Sequence, residues 1–306
     1  MTELGLGCVQ IGVPYGNATE NPLMTETEST AILTRAATAG IRFFDTAAAY
    51  GESEFRIGLS GLAKLHPNVD ISTKIPAVAT ETWQSKNTYW NFLCTTIAAS
   101  KTKLRIGNIR LLQFHQHDPA FLENQGVQSC MRDLIELGYC KQIGISVYTP
   151  EEAIICTQLE HVKALQVPVN LLERRFFAPP LARLYQSEQM LVIGRSIFMQ
   201  GVLVDDAPLP PVTKSPELAT LRNLLRKSLG EGGLFPSAIA FAKWGLPDLL
   251  TIALTGADSV KSLEMNIDAW QISPKQDPNQ LAGLDISEAA AYADEHNLLN
   301  PLTWNI

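Results

Sequence analysis

The stretch Phe43-Phe44-Asp45-Thr46-Ala47-Ala48-Ala49-Tyr50-Gly51 joins an apolar run to a carboxylate and then to a loop of small residues. An apolar run over residues 41–44 that ends abruptly in Asp45 is typical of a parallel strand ending at a working face. The loop after it presents Tyr50 just before a glycine. Taken alone, the stretch fits an ordinary strand end with a solvated carboxylate and a half-buried ring. The rest of the chain decides between that interpretation and a functional one.

Apolar runs with the character of strands alternate with helical patterns along the whole chain. A capping box at residues 25–28 opens the first predicted helix, and Gly40 ends it. Strands are predicted at residues 4–12, 41–45, 70–76, 108–115, 142–148, 164–169, 190–198 and 249–254. Helices are predicted within residues 25–40, 52–65, 82–101, 119–137, 181–186, 238–244 and 285–295, and further helices are predicted to start at Thr149, at Ser215 and at residues 256–259.

About eight strand-to-helix alternations without a break in composition predict an α/β fold of the (β/α)8 TIM-barrel type. We expect a single domain over residues 1–306, with a C-terminal tail from about residue 270. A doubly wound open sheet is the alternative. That fold usually opens with a glycine-rich turn leading into a helix. We rank it second because the residues after Gly5-Leu6-Gly7 do not suggest a helix.

Composition and charge exclude several classes of function. The chain has 306 residues, is 46% hydrophobic and carries a formal net charge of −7, which argues against nucleic acid and anionic membranes as partners. No apolar run approaches the length of roughly 20 residues that a membrane span requires, and the N-terminus lacks the features of a signal peptide. The five widely spaced cysteines indicate reduced thiols. We therefore expect a cytoplasmic protein.

Polar side chains close three consecutive predicted strands. Asp45, Lys74 and His115 each end one of them, and Tyr50 follows the first. The carboxyl ends of all strands lie on one face of a parallel barrel, so the four side chains are expected to converge. A nearby ammonium group lowers the pKa of a phenol, a carboxylate holds that ammonium in place, and a histidine donates to a carbonyl oxygen. Such a set would protonate an alkoxide formed by hydride delivery.

The run His115-Gln116-His117-Asp118 also raises the question of a metal. Alternate residues of a strand share a face, but the sequence offers no third ligand, so we predict no metal site.

The chain resembles the aldo-keto reductase superfamily over nearly its whole length. The stretch from Phe44 to Glu54 is close to the family signature around its aspartate and tyrosine. The segments Ser72-Thr73-Lys74 and Leu111-Leu112-Gln113-Phe114-His115 match the lysine and histidine strands. Further matches lie at residues 137–146, 166–172, 200–203 and 255–266.

The resemblance implies a barrel that binds nicotinamide cofactor without a Rossmann fold. It assigns Tyr50 as general acid/base, Lys74 and Asp45 as its tuning pair, and His115 as the donor that orients the carbonyl. Ser146 and Gln166 correspond to residues that bind the carboxamide, and Asn266 to one that contacts adenine. Gly256 and the helix after it correspond to the site of the adenosine half. The implied cofactor-binding set is Ser146, Gln166, Arg195, Ser196, Gly201, Gly256, Asp258, Ser262 and Asn266.

Three departures from the family pattern bear on cofactor choice and activity. The asparagine that usually follows the fifth-strand serine is Val147 here, so one carboxamide bond is lost. Arg195 stands where an aromatic ring commonly stacks on the nicotinamide; a guanidinium also stacks, but it adds a positive charge. Asp258 stands where basic residues usually meet the 2′-phosphate of NADPH, which gives a slight preference for NADH, and Lys261 acts against this preference.

We therefore predict an NAD(P)H-dependent oxidoreductase acting on the carbonyl of an aldehyde, ketone or sugar. The alternative is a non-catalytic, nucleotide-binding regulatory subunit on the same fold, and a third is a sugar dehydrogenase working in the oxidative direction. Arg174-Arg175 fits an anionic substrate or a structural ion pair, residues 204–214 fit a lid or a plain connection, and Trp304 fits a pocket wall or a packing anchor. The sequence does not identify the substrate, because the substrate pocket lies in the variable loops, and it does not fix the oligomeric state.

Overall fold

A computed structural model describes residues 1–15, 22–273, 277 and 283–304, apart from the side chains of 231 and 302. Within these residues, eight parallel strands pair in chain order and close into a barrel, with β8 hydrogen-bonded to β1. The strands are β1 Glu3–Gly7, β2 Phe43–Asp45, β3 Asp70–Ile75, β4 Ile109–Phe114, β5 Cys140–Ser146, β6 Val162–Pro168, β7 Leu191–Arg195 and β8 Ile252–Gly256. The predicted (β/α)8 fold class is confirmed.

Helices connect the strands and cover the outside of the barrel. They are α1 Val9–Gly12, α2 Glu26–Thr38, α3 Ser53–Leu59, α4 Leu62–Leu65, α5 Thr80–Gln84, α6 Lys86–Leu104, α7 Pro119–Leu122, α8 Gln125–Glu136, α9 Pro150–Thr157, α10 Pro179–Ser187, α11 Ser215–Leu229, α12 Leu234–Trp244, α13 Val260–Ile272 and α14 Ser287–Glu295. Short 3-10 turns lie at Arg175–Phe177, Met199–Gly201, Gly230–Gly232 and Pro301–Thr303. The predicted capping boxes at Thr25 and Thr149 are present.

Several predicted boundaries were wrong, and local backbone geometry explains why. β1 stops at Gly7 and the chain enters α1, so a short helix does follow the glycine pair. β7 stops at Arg195 because Ser196 takes a left-handed conformation with φ 63°. The helix predicted over 52–65 is broken at Gly61, where φ is 70°. The predicted Ser215 cap lies inside α11 instead, where Lys214 precedes the helix.

Alternation along the strands divides the barrel interior into a packed layer and a polar layer. One apolar cluster combines Phe43, Leu111, Ala164, Ile193, Ile252 and Leu254. Successive side chains of a strand point to opposite faces, so residues two positions further along point the same way. Those positions on β2, β4, β6 and β7 are occupied by Asp45, Gln113, Gln166 and Arg195. The fold thus delivers polar groups to the carboxyl end of an otherwise apolar interior.

The C-terminal segment packs on the same core as the barrel strands. Ile286, Ala289, Ala293 and Leu298 belong to the large cluster that also holds residues of β4 to β8. The Trp304 side chain is 1% exposed and donates from Nε1 to the Leu298 carbonyl oxygen at 3.1 Å. Trp304 is therefore a packing anchor.

No helix in the described ranges combines the length and the hydropathy needed to span a bilayer.

Candidate active site

The four side chains predicted to converge do meet at the carboxyl end of the barrel. Asp45 ends β2, Lys74 is the penultimate residue of β3, and His115 follows β4 directly. The loop that carries Tyr50 is held against α1 by Gly12, whose oxygen accepts from Glu52 N at 3.3 Å. A Cβ atom at Gly12 would lie 1.8 Å from the Tyr50 carbonyl oxygen, so only glycine permits this close approach.

Lys74 and Asp45 form a buried ion pair. The Lys74 ammonium lies 2.5 Å from Asp45 Oδ2 and donates a second hydrogen bond to the Thr46 carbonyl oxygen at 2.9 Å. Lys74 is fully buried and Asp45 is 3% exposed. Removing either partner would leave an uncompensated charge in a low-dielectric interior. The pair therefore fixes the ammonium group in one position.

The second oxygen of Asp45 accepts two amide donors that the sequence argument did not place together. Gln113 Nε2 lies 2.8 Å from Asp45 Oδ1, and Gln166 Nε2 lies 3.0 Å from the same atom. Gln113 also donates to Ser72 Oγ at 2.7 Å. The sequence analysis missed Gln113 as a site residue. The available signal was its parity with His115, since a polar residue two positions earlier on the same strand shares its face.

The Tyr50 ring lies close to both Lys74 and His115. The Lys74 ammonium is 5.1 Å from the centre of the Tyr50 ring, within the range of a cation–π contact. The rings of Tyr50 and His115 have centroids 5.7 Å apart and are tilted by 47°. Both the imidazole and the ammonium are thus close neighbours of the Tyr50 ring.

Burial dominates the titration of these groups. It raises the pKa of Tyr50, the Asp45 carboxylate raises it further, and Arg195 opposes both. The sequence led us to expect a lowered pKa for Tyr50, and this direction was wrong, because burial and then Asp45 outweigh the positive charge of Arg195. Burial also lowers the pKa of Lys74, which Asp45 opposes. Burial, followed by the positive charges of Lys74 and Arg195, lowers the pKa of His115 to about 3.

The residues expected at the nicotinamide ring lie at the ends of β5, β6 and β7. Ser146 and Gln166 are paired across β5 and β6, and both are buried. The Ser146 hydroxyl has no hydrogen bond within the described part of the chain, which leaves it open to a ligand. Arg195 ends β7 and donates from Nη2 to the Val147 carbonyl oxygen at 3.0 Å.

The segment after β7 is held in a strained, well-anchored conformation. Ser196, Met199 and Gln200 all have positive φ angles, and Gly201 follows with φ 93°. Buried Arg222 donates to the carbonyl oxygens of Gly201, Val202 and Ala207 at 2.8, 3.0 and 2.7 Å. Asp205 accepts hydrogen bonds from the first backbone amides of α12. These bonds tie the first part of the predicted loop over residues 204–214 to the helices beside it.

The end of β8 and the start of α13 form the second predicted cofactor region. The Gly256 carbonyl oxygen accepts from Asn266 Nδ2 at 2.9 Å, which fixes the turn between strand and helix. A Cβ atom at Gly256 would lie 2.4 Å from Gln10 Oε1. The exposed Asp258 accepts from Ser262 Oγ at 2.7 Å, so part of its carboxylate is committed to the helix cap.

Two other sequence candidates have structural partners. His117 Nδ1 lies 2.9 Å from Glu152 Oε1, and no cluster of three potential metal ligands occurs in the described ranges. Arg175 forms an ion pair with Glu173, which is 1% exposed, so this arginine has a structural partner at the rim.

The family model for the aldo/keto reductases matches residues 3–286. The chain belongs to the aldo/keto reductase family. The resemblance inferred from the sequence motifs is confirmed by this match. Family membership and the names of the related oxidoreductases support nicotinamide-dependent oxidoreduction as the general activity, without naming a substrate.

Curated relatives are distant but cover most of the family domain. An uncharacterized oxidoreductase of Mycobacterium bovis is 28% identical over 296 residues, covering 89% of this chain and 85% of the relative. An aldo-keto reductase of Bombyx mori is 26% identical over 236 residues, covering 73% of each protein.

Solved structures of the family share the fold. The holo form of an aldo-keto reductase from Bacillus halodurans aligns with a TM-score of 0.70 at 20% identity, covering 96% of this chain and 91% of that one. An aldo-keto reductase from Klebsiella pneumoniae, solved in complex with NADPH, aligns with a TM-score of 0.66 at 18% identity, covering 92% and 89%. Nothing in these comparisons supports the preference for NADH expected from Asp258.

Proposed function

We propose that the chain transfers hydride between a nicotinamide and the carbonyl or alcohol carbon of an aldehyde, ketone or sugar. In the reductive direction, a carbonyl compound, NAD(P)H and one proton give an alcohol and NAD(P)⁺. The observation that carries the proposal is the position of Tyr50, whose ring centre lies 5.1 Å from the Lys74 ammonium and 5.7 Å from the His115 ring. A phenol, a fixed cation and a neutral imidazole at one point are the groups that a forming alkoxide requires.

Tyr50 is the proposed general acid. Its raised pKa keeps the phenol protonated at neutral pH, and an alkoxide is a stronger base than a phenolate, so transfer of the proton is favourable. Lys74 then stabilises the phenolate, since an ammonium group nearby favours the charged form of a phenol. Asp45 keeps that ammonium charged and in place.

His115 is the proposed carbonyl-orienting donor. With a pKa of about 3, its imidazole is neutral across the physiological range and carries one N–H. That N–H donates to the substrate oxygen and polarises the carbonyl without adding a full charge to a site that already holds Lys74.

The residues at the ends of β5 to β8 fit a nicotinamide dinucleotide. The open hydroxyl of buried Ser146 and the amide of Gln166 would bind the carboxamide, while Arg195 and Ser196 would flank the ring. The second half of the dinucleotide would lie along Gly201, Gly256, Asp258, Ser262 and Asn266, close to the amino terminus of α13. When bound, the nicotinamide supplies or accepts the hydride.

NADH is the proposed preferred nucleotide, by a small margin. The Asp258 carboxylate disfavours a 2′-phosphate, although exposed Lys261 opposes it. Parallel titrations with NADH and NADPH test this directly. Asp258→Ser should shift the ratio of dissociation constants towards NADPH, and a clear preference of the unmodified protein for NADPH would reject the argument.

We also propose that residues 1–306 act as one barrel domain in the cytoplasm. The packing of the C-terminal segment on the barrel core supports the first part. The five free cysteines, all but Cys94 buried, are in keeping with a reducing compartment.

The test is turnover of a broad carbonyl panel by the protein and by Tyr50→Phe. Turnover should fall by roughly 100- to 10,000-fold in the variant, while the dissociation constant for nucleotide stays within about twofold. Tyr292→Phe on α14 is the matched control and should retain full activity. Full activity in Tyr50→Phe would reject the assignment. Tight nucleotide binding without turnover of any carbonyl would favour the non-catalytic regulatory subunit.

A further inference from the structure

Arg195 brings a positive charge to the mouth of the barrel, and the surrounding protein uses little of its hydrogen-bonding capacity. Nη2 donates to the Val147 carbonyl oxygen at 3.0 Å, and Nη1 makes only a long contact of 3.5 Å with Ser196 Oγ. Nε is buried and has no hydrogen-bond partner. A buried donor without a partner is costly, so such groups commonly mark a site completed by something else.

The guanidinium of Arg195 also lacks an acidic partner. No carboxylate oxygen of the described residues lies within 4.0 Å of it. Elsewhere Arg35 is paired with Glu264, and Arg175 with Glu173. Buried Arg222 is paired with no carboxylate at that distance either, but its three backbone acceptors use its donors. Arg195 combines an unpaired charge with unused donors.

The side chain is directed towards the reacting groups. Arg195 extends from β7 past the end of β6 to Val147, just beyond β5, and its Cζ lies 4.3 Å from the centre of the Tyr148 ring. The Tyr148 ring in turn lies 5.0 Å from that of His117, which follows β4. The charge of Arg195 lowers the pKa values of Tyr50 and His115, against burial in the first case and together with it in the second. The guanidinium is therefore near the substrate side of the site.

An anion at this position has two sources: the substrate, or the pyrophosphate of the cofactor. Both present the oxygen pairs that a planar guanidinium binds. The orientation of Arg195 towards Val147 and Tyr148 on the β5 side takes it away from β8 and from Gly256, where the second half of the dinucleotide is proposed to lie. The geometry therefore favours the substrate.

We infer that Arg195 is a specificity-determining residue that binds a carboxylate or phosphate group of the carbonyl substrate. This inference rests on the proposed function and narrows its substrate class to anionic aldehydes and ketones. The Tyr148 ring packs against the guanidinium of Arg195. The anion accepts hydrogen bonds from the Arg195 donors that the protein leaves unused.

The kinetic test uses substrate pairs that differ mainly in charge. Carboxybenzaldehyde is compared with its methyl ester, and glyceraldehyde 3-phosphate with glyceraldehyde. The protein should favour at least one charged member by about tenfold or more in kcat/KM, mainly through KM. Arg195→Gln should abolish that preference, so that kcat/KM becomes equal for the charged and the neutral member; the ratio is the readout because Arg195 also flanks the proposed nicotinamide. Arg195→Lys should retain part of the preference, since it keeps the charge but not the planar fork.

The control removes a positive charge elsewhere. Arg183 is exposed on α10, and Arg183→Gln should leave the preference for charged substrates unchanged. Equal losses in Arg183→Gln and Arg195→Gln would mean that only the net charge matters, and would overturn the inference.

A binding experiment, which does not depend on turnover, distinguishes an anionic substrate from the pyrophosphate of the cofactor. Benzoate and benzamide are titrated into the protein saturated with NADP⁺, and NADP⁺ itself is titrated into the protein and Arg195→Gln. Benzoate should bind about tenfold more tightly than benzamide when Arg195 is present, and the two should bind equally in Arg195→Gln saturated with NADP⁺. A large loss of NADP⁺ affinity without any loss of charge discrimination would assign Arg195 to the pyrophosphate instead.

The two proposals fail in distinguishable ways. Turnover of neutral and charged carbonyls alike, with no effect of Arg195→Gln on their ratio, would reject the role of Arg195 and keep the proposed function. Arg195-dependent benzoate binding without turnover of any carbonyl would reject the proposed function and retain the anion site.

Discussion

Gln113 Nε2 lies 2.8 Å from Asp45 Oδ1, on the opposite side of the carboxylate from the Lys74 ammonium. The carboxylate is thereby held at both oxygens, by an ammonium at one and by the amides of Gln113 and Gln166 at the other. Asp45 is therefore fixed in orientation, which in turn fixes the ammonium group next to Tyr50.

Loss of Gln113 should disturb the site without unfolding the barrel. Gln113→Leu removes the donors to Asp45 and Ser72 at similar volume, and we expect a loss of about 1–3 kcal/mol in the free energy of unfolding. A small shift of the ion pair should lower kcat by roughly 10- to 100-fold. Urea denaturation and steady-state kinetics measure the two effects, with the exposed Gln186→Leu as control. Unchanged kcat would show that Gln166 and Lys74 alone orient Asp45.

Breaking the buried ion pair should be more damaging than removing it. Lys74→Met leaves the Asp45 carboxylate buried without its counter-ion and should cost about 3–5 kcal/mol in unfolding free energy. The double variant Lys74→Met, Asp45→Asn removes both charges and should recover part of that loss, while remaining inactive. Denaturant titration of both variants measures the difference. A double variant no more stable than the single one would argue that the charge on Asp45 is not the source of the penalty.

His115 should make the protein less stable in mild acid. Its folded pKa of about 3 lies below the unfolded value of about 6.5, so the unfolded chain takes up a proton that the folded chain refuses. The stability present above pH 6.5 is therefore lost as the pH falls from about 6.5 towards 3, by up to about 1.4 kcal/mol per pH unit. His115→Asn should show a shallower decline between pH 7 and pH 5. Identical slopes would contradict the lowered pKa.

The lowered pKa of His115 also predicts how the rate of catalysis depends on pH. A histidine that stays neutral down to about pH 3 does not set the acidic limb of the pH–rate profile. We therefore expect the pH profiles of kcat for the protein and for His115→Asn to have the same shape above pH 5, although the variant is slower.

Trp304 should anchor the C-terminal segment to the barrel. Its side chain is 1% exposed, and its carbonyl oxygen accepts from Thr213 Oγ1 at 2.8 Å. Trp304→Ala should lower the free energy of unfolding by about 3–5 kcal/mol, because it leaves a large cavity. The matched control is Ile272→Ala, since Ile272 is 78% exposed at the end of α13 and should change stability by less than about 0.5 kcal/mol. Comparable losses in both would mean that Trp304 is not a buried anchor.

The sequence predicted site residues best where the pattern of a single strand was enough to identify them. Asp45, Lys74 and His115 each interrupt an apolar run at its end, and parallel-strand geometry then brings them to one face. Gln113 was missed because its partner lies on a different strand, and a polar residue within a run gives no sign of which carboxylate it meets. The sign of the Tyr50 pKa shift was missed because it is set mainly by the burial of the phenol, which only the three-dimensional arrangement shows. The ends of β1 and β7 were misplaced because the backbone turns at Cys8 and Ser196 have no strong residue signature.

The bonds to Asp45 join residues that are 29, 68 and 121 positions apart in the chain. Contacts between residues so far apart in the chain require closure of long loops, which is entropically unfavourable. These contacts therefore form in the late stages of folding. A refolding chain would acquire its helices and local strand pairs well before this carboxylate meets its donors. Competence for chemistry should thus return as one event with completion of the sheet, and partly assembled forms should carry none of it.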